Sequence, residues 1–141
     1  MSAVKGVNAT LEAAGFIGSN IIDQGYKGIE KIIYDEYEAS ALASASTITM
    51  GTSLPVGAVI TDMIFQWDDM GSTVTFKAGT AGDDDKFVVA STNVTTANGS
   101  TRINNIDGLG YKVTGTSDTQ VIVTTAGIWT GTFKCIIKYC L

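Results

Sequence analysis

The chain has 141 residues, enough for one domain with a real core, and carries a net charge of −5 with only 16% charged residues. Its nine basic residues form no basic stripe, which argues against direct nucleic-acid binding, where phosphate neutralisation dominates affinity. With no histidine and no CxxC, the usual zinc sites and the Ser-His and Cys-His nucleophile pairs are excluded.

Residues 1–27 stand apart from the rest. Their apolar residues are sparse, and Gly6, Gly15, Gly18 and Gly25 interrupt any regular period. Asn8 can cap one short turn over Ala9 to Ala14, too short to be stable alone. A long aperiodic stretch in a small domain needs a reason. The expected one is an arm that crosses onto a neighbouring subunit, with Val4, Val7, Leu11, Phe16 and Ile17 as candidate contacts. The alternative is an arm lying on its own sheet. This opening holds no apolar run of signal-peptide length, and nowhere does the chain approach the ~20 apolar residues that span a bilayer. A soluble protein made in the cytoplasm, with no membrane partner, is therefore expected.

The strand pattern begins at Gly28, so residues 28–141 are expected to form one β-domain. From Ile29 to Tyr37, Lys31, Ile33, Asp35 and Tyr37 share one face, with Glu30, Ile32, Tyr34 and Glu36 on the other. The mixture predicts a strand contacted on both sides but not buried on both. Ala39 to Ala45 reads as a small-residue linker, Ser46 to Met50 as a strand, and Leu54 to Gly57 as a turn that Pro55 pre-sets. The long strand from Ala58 to Trp67 puts Val59, Met63, Phe65 and Trp67 on one side and Ala58, Ile60, Ile64 and Gln66 on the other. Thr73 to Ala78 follows with Val74 and Phe76 inward.

Gly79 to Asp85 reads as an acidic turn, then Lys86 to Ala90 as a strand and Ser91 to Ser100 as a polar loop. Weak strands are expected at Thr101 to Ile106 and Tyr111 to Thr114, and a clearer one at Gln120 to Thr124. Ile128 to Leu141 closes the chain, with a bend at Gly131. Short strands at a spacing of roughly ten residues, with no helical period between them, predict an all-β antiparallel two-sheet β-sandwich. A jelly-roll type is favoured over an Ig-like one. The expected core is Val59, Met63, Phe65, Val74, Phe76, Val121, Val123, Phe133, Cys135 and Ile137. Five residues apart on one strand, Cys135 and Cys140 point to opposite faces and cannot bridge each other; Cys140 is expected outward.

The candidates for chemistry are thin. Asp83, Asp84 and Asp85 gather carboxylates, but consecutive side chains diverge, and the spacing is not that of a calcium-binding EF-hand loop. Trp67 beside Asp68 and Asp69 is the single arrangement resembling a sugar platform, and both Trp67 and Trp129 fit the core better. No catalytic, cofactor-binding or metal-ligating residue is expected, and an enzyme is not.

Several stretches resemble one family. They are SAVKGVNATL at 2–11, IIDQG at 21–25, KIIYDEYEASA at 31–41, MGTSLPVGAVITD at 50–62, GTAGDDDKF at 79–87, DGLGYKVTGTSDTQVIV at 107–123 and TGTFKCIIKY at 130–139. Over nearly the whole chain it is similar to small virion proteins of tailed bacteriophages, of the head-decoration or cement type. The resemblance implies a β-sandwich bound to the major capsid protein on the capsid exterior, commonly as a homotrimer, with no catalytic residues. Sandwiches also build tails, collars and head fibres, and a carbohydrate-binding receptor module is the competing reading. The composition agrees independently: many weak copies held on one lattice gain affinity through avidity, without any single strong site.

Overall fold

The computed structural model describes residues 29–95 and 97–141. The predicted arm therefore lies outside the described residues. Eight strands follow in order: β1 (Glu30–Leu42), β2 (Thr47–Leu54), β3 (Val59–Trp67), β4 (Thr75–Thr80), β5 (Asp83–Asn93), β6 (Gly99–Arg102), β7 (Thr119–Ala126) and β8 (Trp129–Cys140). Among the described residues there is no helix, in line with the period-two patterning.

The strands form two four-stranded sheets. Sheet I has the order β1-β8-β3-β6 and sheet II the order β2-β7-β4-β5. Every pairing is antiparallel. First pairs with last, second with seventh, third with sixth and fourth with fifth. The chain is thus one long hairpin folded over on itself, an order consistent with the expected jelly roll.

The inner faces of the two sheets supply the core. All ten expected core positions are buried, nine of them in the cluster between the sheets, where Trp129, Phe87, Leu54, Met50 and Met70 join them; Val59 is buried outside that cluster, since the bulge after Ile60 takes it off the face of Met63 and Phe65. At its centre, Phe76 of sheet II meets four rings of sheet I. Centroid distances are 5.1 Å to Phe133, 5.6 Å to Phe65, 5.8 Å to Trp67 and 6.2 Å to Trp129. Tilted and edge-on geometries of this kind suit the ring quadrupoles and bind the sheets beyond simple burial. Asp35 adds a polar link between layers: its Oδ2 accepts the Gly51 N–H at 2.6 Å, tying β1 to β2.

Five expectations need correction. The predicted linker at Ala39 is strand: β1 continues to Leu42, with a bulge where the register moves from Ala39–Gly131 to Leu42–Trp129. The turn after it is held by the buried Thr125, whose Oγ1 donates to Ala43 O at 3.1 Å and accepts from Ser46 N at 3.2 Å. Ile60 faces the core, because a bulge between Ile60 and Asp62 resets the alternation so that Ile60 and Met63 both point inward. Asp83 to Asp85 form the start of β5, since Thr80 already pairs with Asp83 around a turn of Ala81 and Gly82 alone. Tyr111 to Thr114 is no strand; it makes one bridge, Lys112 to Val59. Cys140 is buried, although it lies outside the cluster between the sheets that holds Cys135. Both cysteines are free.

Candidate functional site

Val4, Val7, Leu11, Phe16 and Ile17 lie outside the described residues, so the receiving surfaces carry the argument. An antiparallel sheet with one solvated face is expected to be polar on that face. Sheet II obeys: its outer face presents Thr47, Thr49, Thr124, Thr75 and Lys77, with Ile122 half-buried among them. Sheet I does not. Strand alternation turns Ile33, Asp35, Tyr37 and Ala39 of β1 inward, which leaves Ile32 and Tyr34 outward and 64% and 59% exposed. Register then sets Tyr34 against Ile136 of β8, and Ile136 against Ile64 of β3. Directly opposed side chains on neighbouring strands lie about 5 Å apart, so these residues make one apolar row. Ile32 extends it along β1.

Ion pairs border the row. On one side Lys138 reaches Glu30 at 4.0 Å and Arg102 reaches Asp62 at 3.4 Å. On the other Lys134 meets Glu36 at 3.2 Å, and the Tyr34 hydroxyl donates to the same carboxylate at 2.8 Å. The Tyr34 hydrogen bond, then Lys134, holds the Glu36 carboxyl below its ordinary range. The same carboxylate raises the Tyr34 phenol and the Lys134 ammonium. These groups are solvent-exposed, so the pairs orient side chains more than they stabilise the fold.

A second apolar region lies at one end of the sandwich. The starts of β1 and β3 and the end of β8 lie side by side there, through Glu30, Val59 and Cys140. Ile29, Val56, Ile106, Leu109 and Leu141 are exposed at this end. The segment carrying Ile106 and Leu109 is fastened by Gly110 N–H to Ile60 O at 2.8 Å and by the Asn105 side-chain amide to Asp85 O at 2.7 Å.

The remaining candidates do not assemble a reactive site. Asp83 pairs with Lys86 at 3.0 Å, which holds its carboxyl below the ordinary range, and Asp84 pairs with Lys77, so two of the three carboxylates are engaged by neighbouring lysines. Among the described residues, no three metal-ligating side chains gather. Glu36, Gln66, Asp68, Asn98 and Lys134 surround a depression of about 360 Å³ at the edge of Trp67. The Trp67 indole is turned into the core, so it offers no flat platform there, and Asp69 faces away to bond Gly71 N–H at 3.1 Å. Burial chiefly, with Asp35 adding, pushes the Cys135 thiol up to about 12 and makes it a poor nucleophile.

The apolar row was missed at the level of sequence. Its signal is the doublets Ile32-Ile33 and Ile136-Ile137, since adjacent isoleucines on a strand put one on each face.

No protein-family model matches the chain, and no curated protein matches it. Solved structures do. A chain of the capsid asymmetric unit of cyanophage Pam1 superposes with a TM-score of 0.65 at 23% identity, over 81% of this chain and 86% of that one. A chain of the capsid of Ralstonia phage GP4 superposes with a TM-score of 0.64 at 22% identity, over 80% and 84%. The likeness establishes a shared fold.

Proposed function

We propose that this protein is a structural component of a bacteriophage capsid, bound to the outside of the shell and reinforcing it. The observation that carries the reading is the match of four-fifths of the chain to chains from two phage capsids. The partly exposed apolar row on sheet I supports it, because contiguous apolar surface on a sheet face suits contact with another protein. In this reading its partners are the major capsid protein and further copies of itself, most simply as a trimer. Residues 1–27 form the arm, and Val4, Val7, Leu11, Phe16 and Ile17 make contacts beyond their own subunit. The protein is made in the host cytoplasm and ends on the virion exterior, and it is not an enzyme.

A ligand that binds the assembled shell but not its released subunits stabilises the assembled state by mass action. Particles lacking the protein should therefore assemble, and should release DNA at lower temperature than wild type. The test deletes the gene, measures heat release of DNA, and assays heads and tails separately by mass spectrometry. Equal release, with the protein found in tails, moves it to a tail or collar. Intact particles that fail only to adsorb favour the carbohydrate-binding alternative, for which neither Trp67 nor Trp129 offers an exposed ring.

A further inference from the structure

We infer that the outer face of sheet I, along Ile32, Tyr34, Ile136 and Ile64, is the seat of residues 1–28 of a second copy of this chain. The inference rests on the oligomeric reading above and names the surface that the arm grips. The first ground is the face itself. Sheets I and II cover each other's inner faces. The outer face of sheet II is largely threonine around the half-buried Ile122, with Val89 exposed on β5, whereas sheet I carries the four-residue row, Ile32 and Tyr34 exposed and Ile136 and Ile64 half-buried.

The second ground is where the remaining chain attaches. Twenty-eight residues precede Ile29, which adjoins the first strand of this sheet. Crossing four strands requires three interstrand spacings, about 15 Å. A 28-residue segment reaches up to ~90 Å when extended, ample for a neighbouring molecule. Ile29, which precedes β1, is 83% exposed, and the row begins at Ile32 on that strand. Passing such a segment to a neighbour is the exchange by which identical subunits commonly link.

The third ground is chemistry. The segment carries Val4, Val7, Leu11, Phe16, Ile17, Ile21 and Ile22, and its charges cancel: Lys5 and Lys27 against Glu12 and Asp23. The cations beside the row, Lys134, Lys138 and Arg102, are already paired with carboxylates. Such a seat favours a neutral apolar segment over a strongly charged one.

The test uses the full chain away from particles, combining sedimentation velocity with hydrogen exchange of peptides from residues 1–28. Four proteins are compared: wild type, the face variant Tyr34→Ser/Ile136→Thr, the segment variant Phe16→Ser/Ile17→Ser, and Thr49→Ser/Thr124→Ser on sheet II as control. The segment variant changes no described residue of the sandwich, so misfolding of the face variant does not decide the outcome. The expected result is an oligomer with protected 1–28 peptides. Either the face or the segment variant should raise their exchange about tenfold and weaken association about tenfold, with the control unchanged. Protection that persists in a monomer at every concentration means that the segment covers its own sheet, and overturns the inference. So does an oligomer indifferent to both variants. A wild-type monomer with unprotected 1–28 peptides also overturns it, while attachment to capsids is read independently from the particle assays.

Discussion

Phe76 is the side chain on which the two sheets converge, and Phe76→Ala is the sharpest test of the core. The ring is buried and touches Phe65, Trp67, Trp129 and Phe133 at centroid distances of 5.1–6.2 Å. Removing it forfeits the transfer free energy of the ring and leaves a cavity whose walls are themselves rigid rings on two strands. Collapse there is poor, so the cost falls toward the upper part of the usual range, about 4–5 kcal/mol. Against a total stability of about 5–15 kcal/mol that is a large share, and the midpoint of thermal unfolding should fall by about 10–20 °C. Both tryptophans abut Phe76, so their fluorescence in a urea titration reports the loss directly. The titration is run at one fixed protein concentration, because any association contributes to apparent stability. A loss below about 1 kcal/mol with an unchanged urea slope would refute the claim that this ring fills the space between the sheets.

Three further outcomes follow from particular contacts. A Cβ at Gly99 would overlap the Trp67 indole, so Gly99→Ala should cost about 1–3 kcal/mol, whereas Gly82→Ala, with open space around it and no positive φ, should stay within about 0.5 kcal/mol; equal urea midpoints for the two would sink the reasoning. Glu36 and Asp83 have lowered carboxyl values, so their contribution is present above the ordinary carboxylate range and lost as pH falls through those lowered values. Tyr34 and Lys134 are raised, so theirs is present below their ordinary values and lost as pH rises through the raised ones. Urea midpoints should thus be flat between roughly pH 5 and 9 and fall on both sides; an acid limb unchanged by Glu36→Gln/Asp83→Asn contradicts this. The Cys135 thiol, buried and raised to about 12, should resist iodoacetamide at pH 8 in the native state and react only on unfolding; rapid native labelling, read by peptide mass mapping, contradicts its place in the core.

The sandwich was legible in the sequence wherever alternation was clean. Val74-Phe76, Val121-Val123 and Phe133-Cys135-Ile137 each read correctly, because burial on one face of a strand demands a period of two. Reading failed where the backbone departs from that period. The bulge after Ile60 shifts parity with no mark in the local sequence, since Thr61 and Asp62 look like any outward pair. The strand status of Asp83 to Asp85 was hidden because a run of three carboxylates reads as a turn, and Lys77 of β4 neutralises Asp84 only once the hairpin closes. The apolar row was hidden for a similar reason: Tyr34, Ile136 and Ile64 come from three separate strands, and only register makes them neighbours.

The nested pairing also sets an order in time. The β4–β5 hairpin closes the shortest loop, while β1 must wait for β8, which leaves the ribosome long after it. Loop-closure entropy makes the distant pairing the slower event. Sheet I loses one of its two inner strands in any chain that stops short of Trp129, and the row with Ile136 does not exist until then. Residues 1–28 are therefore synthesised well before their inferred seat is complete. An unfinished chain has no seat to offer, so only finished subunits can be joined through it. A nonsense fragment would then fail to enter assemblies instead of poisoning them.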